Sequence, residues 1–503
     1  MRKLLCVALT AAVAVAVATV PTVAQKRGGV LKFAVPSVKP GLDPAHTTTG
    51  DAYMLTQAIF SNLTRVDENL EAKPQLASSW QPNANSSQWT FNLVKGAKFH
   101  NGREVVADDV VFSIERILDP KTASRGAKAL GPIKRVVAKD KHTVVFELTG
   151  PYADLPLQLG NTFGRIVAKE NIDKIGREPI GSGPFKLKEY VPGNRVVLAR
   201  NPDYFEKGLP LLDEIHQVYL KEYATQISAL GTGEIHIMYL VPVEVIAQLQ
   251  KEPGVQVLEV PSPSFQPLEM FVAQKPFTDV RVRQALRFAI DRKAMLQAAT
   301  GGHGVLGNDV PVPPSSRWAN KALPQRERDV NRARQLLAEA GYKNGIDLTL
   351  YTSTGRPGLE EAAVVLRESA KEAGIRVKLE SVEIARLYSE MLRKPKEFTI
   401  VHNNWFGRPT IDETLTPYTF TKSFWNYTEY SNPKVDGLLT EALGVVDFEK
   451  RKRIYDEVQR ILWEEGPEVV PYFRNYVSAI RKNVKNYKLI PVQYVDLREV
   501  SIE

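Results

Sequence analysis

The sequence predicts an α/β protein of two or three lobes, with a small mixed unit inserted early in the chain. Its 503 residues exceed the usual size of one domain, about 100–200 residues, and so indicate several lobes. Hydrophobic residues make up 43% of the chain and charged residues 24%, which is ordinary for a globular protein. Between residues 329 and 382, helix and strand patterns alternate, which is typical of an α/β lobe.

The chain begins with the layout of a secretory leader. A basic start is followed by an apolar run from Leu4 to Val20, and the small residues at 22–24 suit a signal peptidase. We predict a signal peptide at residues 1–24 and a mature protein in the periplasm. An uncleaved membrane anchor is the alternative, although the run is shorter than the roughly 20 apolar residues of a usual spanning helix.

Cysteine content and charge exclude several function classes. Cys6 is the only cysteine and lies in the leader, so the mature chain is expected to have no disulfide, no thiolate nucleophile and no Cys-ligated metal. The net charge of +9 is a mild excess for this length, and Arg2 and Lys3 of the leader contribute two of these charges. Such an excess favours a solubilising surface over nucleic-acid binding, so we expect no nucleic-acid partner.

Hydrophobic periodicity predicts the elements up to residue 181. Alternating apolar and polar residues indicate strands, and apolar residues at helical spacing indicate helices. We expect a strand at 28–35, a loop at 36–51, a helix at 51–63 capped by Asp51, strands at 89–94 and 143–150, and between these a helix at Ala107–Leu118.

The same patterns predict the remaining elements. We first expect a hairpin at 183–201 with a Pro192-Gly193 turn, a helix and strand at 223–240, a helix at 241–254, a loop at 261–268, a strand at 269–274, one helix at 279–300 and a loop at 301–316. Next come a helix at 329–342 capped by Asp329, a strand at 346–352, a helix at 359–374, a strand at 375–382, a long helix at 447–466 and a strand-like piece at 477–482.

Sequence motifs of common enzymes are absent. The chain has no HExxH, GxSxG or GxxxxGK[ST] motif, and its Gly-rich pieces at 181–183 and 301–304 do not join a strand to a helix as a phosphate loop would. None of the seven histidines are paired at helical i,i+4 spacing. We therefore expect a protein that is not an enzyme and carries no metal and no cofactor.

The segment from Ile400 to Tyr430 combines aromatic residues with charges. It follows a predicted strand, contains eight aromatic residues and brings Arg408 close to Asp412. Rings that supply apolar contact, with a few charges that fix orientation, are typical of a small-molecule cleft. The alternative is that the aromatic residues pack the core and that Arg408 and Asp412 pair with each other at the surface.

Seven segments, in order along the chain, resemble one protein family. They are GGVLKFAV with GLDPAHTTTGDAY, FHNGREVVADDVVFSIERILDP, GSGPFKLKEYVPGNRVVLARNPDYF, FTDVRVRQALRFAIDRKAML, VNRARQLLAEAGY and YSNPKVDGLLTEA. Together they make the chain similar to the periplasmic solute-binding proteins of ABC importers, in the peptide/nickel/opine-binding class (solute-binding family 5). The resemblance covers essentially the whole mature chain.

The resemblance implies a two-lobed periplasmic binding protein fold of class II type, with an extra α/β subdomain in lobe one. Lobe one would comprise residues 25–270 and 477–503, with the insert at about 60–181, and lobe two would comprise 271–476. Hinge strands would lie near 270–272 and 472–474 and absorb the closing rotation. The implied function is an extracytoplasmic receptor, expected to be a monomer, that delivers a peptide or peptide-like solute to ABC permease subunits.

The resemblance also implies where the ligand binds. The contacts would come from the loop after the first strand, from a strand end, and from the loop that begins at residue 405. At Arg408 the family's dipeptide receptors carry an acid, so our hypothesis is that this arginine holds an anionic group of the solute and that Asp412 holds a cationic or hydrogen-bond-donating one. The implied ligand contacts are Thr47, Thr48, Thr49, Tyr53, Tyr239, Leu240, Trp405, Phe406, Arg408 and Asp412.

Other functions stay open at the level of sequence. The ligand could be an opine, a modified amino acid or an aromatic acid in place of a peptide. An exported hydrolase of peptides or small conjugates is a second class, although no nucleophile or metal site is visible. A sensory or chaperone-like binder without an importer is a third. Bare nickel is disfavoured, because only His303 and His402 lie in expected cleft loops.

Overall fold

A computed structural model describes residues 26–36, 41–47, 50–393, 397–492 and 494–503 of the chain. The predicted signal peptide at 1–24 and the predicted ligand contacts Thr48 and Thr49 lie outside the described residues. None of the helices in the described part is both long and apolar enough to cross a membrane.

The described residues form a mixed succession of strands and helices. The strands are β1 (Val30–Val35), β2 (Thr64–Val66), β3 (Ala72–Pro74), β4 (Ala77–Pro82), β5 (Gln88–Leu93), β6 (Ile133–Asp140), β7 (Thr143–Leu148), β8 (Phe185–Val191), β9 (Arg195–Arg200), β10 (Glu214–Tyr219), β11 (Ile237–Met238), β12 (Val255–Phe265), β13 (Leu268–Met270), β14 (Gly304–Leu306), β15 (Ile346–Thr352), β16 (Ile375–Ser381), β17 (Ile400–His402), β18 (Glu468–Val469), β19 (Tyr472–Arg481), β20 (Val484–Lys485) and β21 (Ser501–Ile502). The α-helices are α1 (Gly50–Ile59), α2 (Ala107–Leu118), α3 (Gly126–Ala129), α4 (Leu155–Gln158), α5 (Tyr223–Thr232), α6 (Val243–Leu249), α7 (Val280–Ala289), α8 (Arg292–Thr300), α9 (Val330–Glu339), α10 (Leu359–Lys371), α11 (Ile384–Arg393), α12 (Ile411–Thr419), α13 (Pro433–Leu443) and α14 (Phe448–Glu465).

The first large sheet contains the N-terminal strand and a late strand of the chain. Its order is β12-β19-β11-β1-β10-β9-β8, and β14 also pairs with β19. Leu31, Phe33 and Val35 of β1 lie in a buried core, where they pack with residues of α1 such as Leu55 and Ile59. The predicted strand at 28–35 and the hairpin at 183–201 are confirmed, while α1 begins at Gly50, one residue before the predicted cap.

The early insert forms a sheet of its own. Strands β4, β5, β7 and β6 lie side by side in that order, and α2 covers them. Phe91 and Phe146 meet edge to face with ring centroids 5.3 Å apart, and Val110 and Ile114 of α2 belong to the same core. The helix predicted at Ala107–Leu118 is confirmed residue for residue. The small α/β unit predicted early in the chain is therefore present.

The second large sheet is the centre of the other lobe. Its order is β16-β15-β17-β13-β18, with β15 parallel to β16 and β17. Its core includes residues of α7, α8, α9 and α10. Asp329 accepts a hydrogen bond from the main-chain N–H of Arg332 and so caps α9 as predicted. The alternation of helices and strands predicted for this region is confirmed.

The chain passes between the two large sheets from β12 to β13 and from β18 to β19, and it also returns to the first sheet for the short strand β14. Sheet membership assigns 268–270 to the second sheet and 472–476 to the first. The predicted lobe boundaries, after residue 270 and after residue 476, fall within a few residues of these crossings and stay a prediction.

Two predicted elements are wrong in extent. The single helix predicted at 279–300 is two helices, because Ile290 has extended backbone angles and Asp291 caps α8 by accepting from the N–H of Ala294. The loop predicted at 261–268 is strand up to Phe265. Its prolines are tolerated because β12 is an edge strand whose register shifts between Pro261 and Ser264.

Two predicted loops also contain regular structure. The loop at 301–316 includes β14, which pairs with β19. The aromatic segment at 400–430 includes α12, whose N-terminus is capped by Thr410. Strand β14 is fixed by a partner strand that is distant in the sequence, and helix α12 begins at a single cap. Hydrophobic periodicity reveals neither.

Candidate ligand-binding site

The loop that follows β17 is seated against the end of β12, where the chain leaves the first sheet. The main-chain N–H of Trp405 donates to the carbonyl of Phe265 at 2.9 Å, and the reverse bond is 3.1 Å long. The N–H of Gly407 donates to Oγ of Ser264 at 2.8 Å. A Cβ on Gly407 would come within 3.0 Å of Cδ of Pro263, so a glycine permits this close approach. We call residues 403–408 the cleft loop.

Two cavities adjoin the cleft loop, and both are bordered by residues from each lobe. The larger has a volume of about 470 Å³ and is lined by Arg408 and Pro409 together with residues of 68–71, 260–263 and 312–318. The smaller has a volume of about 240 Å³ and is lined by Phe406 and by the residues Leu240, Ser264, Pro357, Arg474 and Tyr476.

Arg474 lines the smaller cavity, and Arg356 lies close enough to Arg474 for their like charges to interact. Arg474 lies on β19, which carries the chain back into the first sheet, and Arg356 lies in the turn between β15 and α10. The Nε atom of each arginine is buried and has no hydrogen-bond acceptor among the described residues. No carboxylate in that part of the chain pairs with either guanidinium.

The electrostatics at these arginines favour an anion. Burial lowers the pKa of Arg474, and the like charge of Arg356 contributes in the same direction. The guanidinium of Arg356 also lies over the ring of Phe406, with 5.7 Å between Cζ and the ring centroid. A buried donor without an acceptor costs about 1–3 kcal/mol. An anionic group in this cavity would provide the missing acceptor and offset the repulsion between the two charges.

Neither Arg356 nor Arg474 was among the sequence-predicted contacts. Arg356 follows the carboxyl end of the parallel strand β15, which is the usual position of ligand-binding residues in α/β sheets. That rule could have identified it. Arg474 falls within the predicted hinge strand, where its role in the cavity depends on neighbours that are distant in the sequence.

Arg408 is exposed and lines the larger cavity. Within the described residues it has neither a hydrogen bond nor an ion pair, so it does not pair with Asp412. Burial raises the pKa of Tyr53, and the positive charges of Arg125 and Arg408 oppose that rise. The structure thus brings the predicted contacts Tyr53 and Arg408 near each other.

Asp412 is partnered within its own helix and not by Arg408. It lies in the first turn of α12 and accepts a hydrogen bond from the hydroxyl of Thr416. Burial raises its pKa to about 6, with Asp154 adding to the rise and Arg451 opposing it. Asp412 lines neither of the two cavities beside the cleft loop.

The positive charge of Arg408 acts on the neighbouring acid Glu413. The hydroxyl of Thr410 accepts from the main-chain N–H of Glu413 at 3.1 Å and donates to its carboxylate at 3.2 Å. Burial raises the pKa of Glu413, and the charge of Arg408 is the first effect that opposes this rise. The charge of Arg408 therefore acts on Glu413, an acid that the sequence analysis did not select as a ligand contact.

Trp405 and Phe406 point in different directions. The indole of Trp405 donates from Nε1 to Oε1 of Glu269 at 2.8 Å and packs against Tyr418, with ring centroids 4.3 Å apart. The side chain of Phe406 is 47% exposed and borders the smaller cavity. The aromatic segment thus contributes both to the core and to the cleft, the two interpretations that the sequence left open. Tyr418 is buried in the core, and Phe406 faces the cleft.

The remaining predicted contacts lie in the first lobe. Leu240 has a left-handed backbone, with φ of 54°, and lines the smaller cavity opposite Phe406. Tyr239 is buried among core residues of the first sheet. Thr47 is also buried and donates to the carbonyl of Pro44 at 3.0 Å. Leu240 and Phe406 are therefore brought together, whereas Thr47 and Tyr239 line neither of the two cavities.

Metal ligands are not clustered in the described part of the chain. No group of three or more His, Cys, Asp or Glu side chains there is arranged to hold a metal ion. His402 is fully buried, and its Nδ1 lies 2.9 Å from the carbonyl oxygen of Leu359.

Known proteins resemble this chain over almost its whole length. Residues 71–428 match the model of the bacterial extracellular solute-binding proteins, family 5. The glutathione-binding protein GsiB of Escherichia coli K12 is 27% identical over 463 residues, which cover 90% of each chain.

Solved structures show the same two-lobed architecture. HbpA2 from Haemophilus parasuis superposes with a TM-score of 0.88 at 25% identity, over 94% of this chain and 100% of that one. The oligopeptide-binding protein AppA of Bacillus subtilis, in complex with a nonapeptide, superposes with a TM-score of 0.72 at 26% identity, over 95% and 100%. The predicted fold class is confirmed, and because the family model spans well over half of the chain, this protein belongs to the bacterial extracellular solute-binding proteins of family 5.

Proposed function

We propose that this protein is a non-catalytic, extracytoplasmic receptor that binds a small peptide-like solute between its lobes and delivers it to an ABC import permease. The observation that carries the proposal is the guanidinium of Arg474, which lines a cavity bordered by both lobes, has no acceptor for its Nε among the described residues and feels the like charge of Arg356. A carboxylate matches such groups because a guanidinium donates two parallel hydrogen bonds to it. The free C-terminal carboxylate of a peptide is the simplest solute group of this kind.

The apolar contacts in the smaller cavity fit the rest of such a solute. Leu240, Phe406 and Tyr476 line this cavity together with Arg474, so a ligand side chain can lie against them while its carboxylate is held. Ligand cavities in proteins usually combine apolar walls with a few placed charges. The size of about 240 Å³ suits a group of a few heavy atoms, and the adjoining larger cavity offers room for the remainder.

Arg408 would hold a second anionic group. Its exposed guanidinium faces the larger cavity and has no partner in the described part of the chain, so a solute with two carboxylates could reach both sites. The E. coli relative is a glutathione-binding protein, and glutathione carries two carboxylates. The sequence-predicted contacts Thr47, Thr48, Thr49, Tyr239 and Asp412 stay predictions.

Compartment and partners follow from the family and the leader. A signal peptide at 1–24 would deliver the mature chain to the periplasm, where a monomer would bind its solute and dock on the permease subunits. The AppA relative was solved with a nonapeptide, which supports a peptide ligand for this fold. Neither nucleic acid nor a cofactor is part of the proposed function.

Isothermal titration calorimetry on residues 25–503 tests the proposal. The solutes are reduced glutathione, Ala-Ala and Ala-Glu, together with the C-terminal amides of the two dipeptides. We expect at least one free acid to bind and its amide to bind much more weakly, with mass spectrometry recovering the solute unchanged. Absence of binding by all of the acids, equal binding of acids and amides, or turnover of the solute would contradict it.

A further inference from the structure

Two buried glutamates face each other beneath the cleft loop. Strands β13 and β18 are antiparallel neighbours in the second sheet, and their register pairs Glu269 with Glu468. Both residues are almost completely buried, at 2% and 3% exposed. Acidic residues are rarely buried without a cationic partner, because removing a charge from water costs several kcal/mol. The pair therefore calls for a physical explanation.

Glu269 holds two side chains of the cleft loop. Its Oε1 accepts from the indole Nε1 of Trp405 at 2.8 Å, and Nδ2 of Asn403 donates to both carboxylate oxygens at 3.0 and 2.9 Å. The orientation of Asn403 is itself fixed, since its Oδ1 accepts from the hydroxyl of Tyr388 at 2.9 Å and from the N–H of Asn404 at 2.7 Å. Glu269 is thus surrounded by donors and fits as an ionised carboxylate.

Glu468 has the opposite surroundings. Neither of its carboxyl oxygens has a hydrogen-bond partner among the described residues. The nearby guanidinium of Arg287 donates to main-chain carbonyls, including those of Gly466 at 2.7 Å and Glu468 at 3.0 Å. Burial, and next the negative charge of Glu269, raise the pKa of Glu468 well above its ordinary value, with Arg287 opposing. We therefore take Glu468 to be neutral at pH 7.

Glu269 is the group that changes charge near neutrality. Burial raises its pKa to about 7, and the hydrogen bonds from Trp405 and Asn403 limit that rise. The other titratable groups around the pair keep mainly one charge state between pH 5.5 and 8.5, because burial raises the pKa values of the tyrosines, lowers that of His402 to about 4 and lowers that of Arg287 only to about 9. These groups are Arg287, Tyr388, Tyr418, Tyr427 and His402.

We propose that Glu269 is a positioning residue of the ligand site, which fixes Trp405 and the cleft loop as a carboxylate and releases them when it takes up a proton. A proton on Glu269 would meet only N–H donors on the side of Asn403 and Trp405. It would instead be donated to an oxygen of Glu468, which lies opposite and is free to accept. The carboxyl group then turns from the loop toward the neighbouring strand.

This inference rests on the proposed function, and it adds a regulation of the same site. Because Trp405 precedes Phe406 and Arg408 in the cleft loop, loss of its anchor loosens the contacts on both cavities. The protein would bind its solute more weakly below neutral pH than above it.

The test follows the indole N–H resonance of Trp405 by NMR in residues 25–503 without ligand. Trp405→Phe identifies the resonance among those of the six tryptophans. We expect its shift to titrate between pH 5.5 and 8.5 in the wild type, to lose this titration in Glu269→Gln, and to keep it in Glu468→Gln. A wild-type shift that does not change with pH, or one that still titrates in Glu269→Gln, would overturn the proposal.

Ligand binding is measured separately, so that the two proposals fail in different ways. We expect the affinity for reduced glutathione to fall by about tenfold from pH 8 to pH 5.5 in the wild type and to be independent of pH in Glu269→Gln. If the indole titrates but the wild-type affinity does not change with pH, the link to binding is wrong. If none of the acid solutes binds at any pH, the proposed function is wrong, and the resonance still decides the role of Glu269.

Discussion

Arg451 and Asp154 join the two lobes through a buried ion pair. The two terminal nitrogens of Arg451, on α14, donate to the two carboxylate oxygens of Asp154 at 2.6 and 2.7 Å. The side chains are only 4% and 10% exposed. Because Asp154 belongs to the early insert, the ion pair joins the insert directly to the second lobe. The N–H of Ala153 also donates a hydrogen bond to the carbonyl of Leu443. This contact ties the insert to the second lobe.

Breaking this pair should loosen the contact between the insert and the second lobe. Removing one partner of a buried pair typically costs about 3–5 kcal/mol, because it leaves a buried charge without compensation. We expect Arg451→Ala to increase the radius of gyration in solution scattering and to speed up ligand release. Arg460→Ala on the same helix is the control, because its ion pairs with Glu457 and Glu464 are exposed and worth about 0–1 kcal/mol. Equal behaviour of the two variants would contradict the role given to Asp154.

Arg408 should matter most for solutes with two anionic groups. We expect Arg408→Ala to weaken binding of reduced glutathione about tenfold and to leave binding of Ala-Ala almost unchanged, because the second carboxylate loses its partner. The effect should shrink at high salt, since Arg408 is exposed. Arg135→Ala, an exposed arginine on the insert, makes the same change of net charge and should have no effect in calorimetry. If Arg408→Ala lowered the affinity for both solutes to the same extent, that result would argue against a separate site at Arg408.

Gly407 should resist substitution because the cleft loop touches β12 at this residue. A Cβ there would lie 3.0 Å from Cδ of Pro263 and 3.2 Å from the main-chain nitrogen of Ser264. We expect Gly407→Ala to destabilise the fold by about 1–3 kcal/mol, as overpacking usually does, and to weaken solute binding.

Gly437 supplies the matched control for Gly407. It lies inside α13, and a Cβ there would meet no atom within 4 Å. Gly437→Ala should stabilise the protein by roughly 0.5–1 kcal/mol, since alanine favours a helix. Urea unfolding measures both variants, and a Gly407→Ala variant that is as stable as Gly437→Ala would contradict the close packing.

The buried acid Glu468 should make stability depend on pH. Because burial raises its pKa in the folded state, the folded protein binds its proton more tightly than the unfolded chain does. Its contribution to stability is therefore present below the ordinary glutamate pKa and is lost as pH rises. Buried His100 and His402 act in the opposite direction below about pH 6.5, so a comparison with a variant is needed to isolate Glu468.

Glu468→Gln makes that comparison. We expect its unfolding free energy, relative to the wild type, to increase from pH 5 to pH 8, because glutamine cannot ionise. Glu464→Gln, at an exposed position near the end of α14, should show a constant difference over the same range. A difference for Glu468→Gln that stays flat between pH 5 and pH 8 would show that this carboxyl is not held neutral by burial.

Local patterns in the sequence predicted much of the fold. The helix at Ala107–Leu118 and the strands of the βαβ region were found from periodicity and caps, which depend on neighbouring residues. The break at Ile290 was missed because the apolar stripe continues across it, although Asp291 is a recognisable cap.

The site was harder to predict than the fold. Leu240, Phe406 and Arg408 were predicted from the family resemblance, and they line the two cavities. Arg356 and Arg474 were not, because Arg474 lines a cavity formed by both lobes and Arg356 comes near it from a distant part of the sequence. Which way Asp412 points is likewise set by Thr416 and the distant Asp154, and spacing along the chain does not contain that information.

The central claim is that Arg356 and Arg474 hold an anionic group of the solute. The most direct measurement is calorimetry of one bound acid solute and its C-terminal amide against the wild type, Arg356→Ala and Arg474→Ala. We expect each variant to weaken binding of the acid by about 2–4 kcal/mol, roughly 30- to 1,000-fold, and to bind acid and amide almost equally. Variants that still prefer the acid over the amide as strongly as the wild type does would contradict the claim.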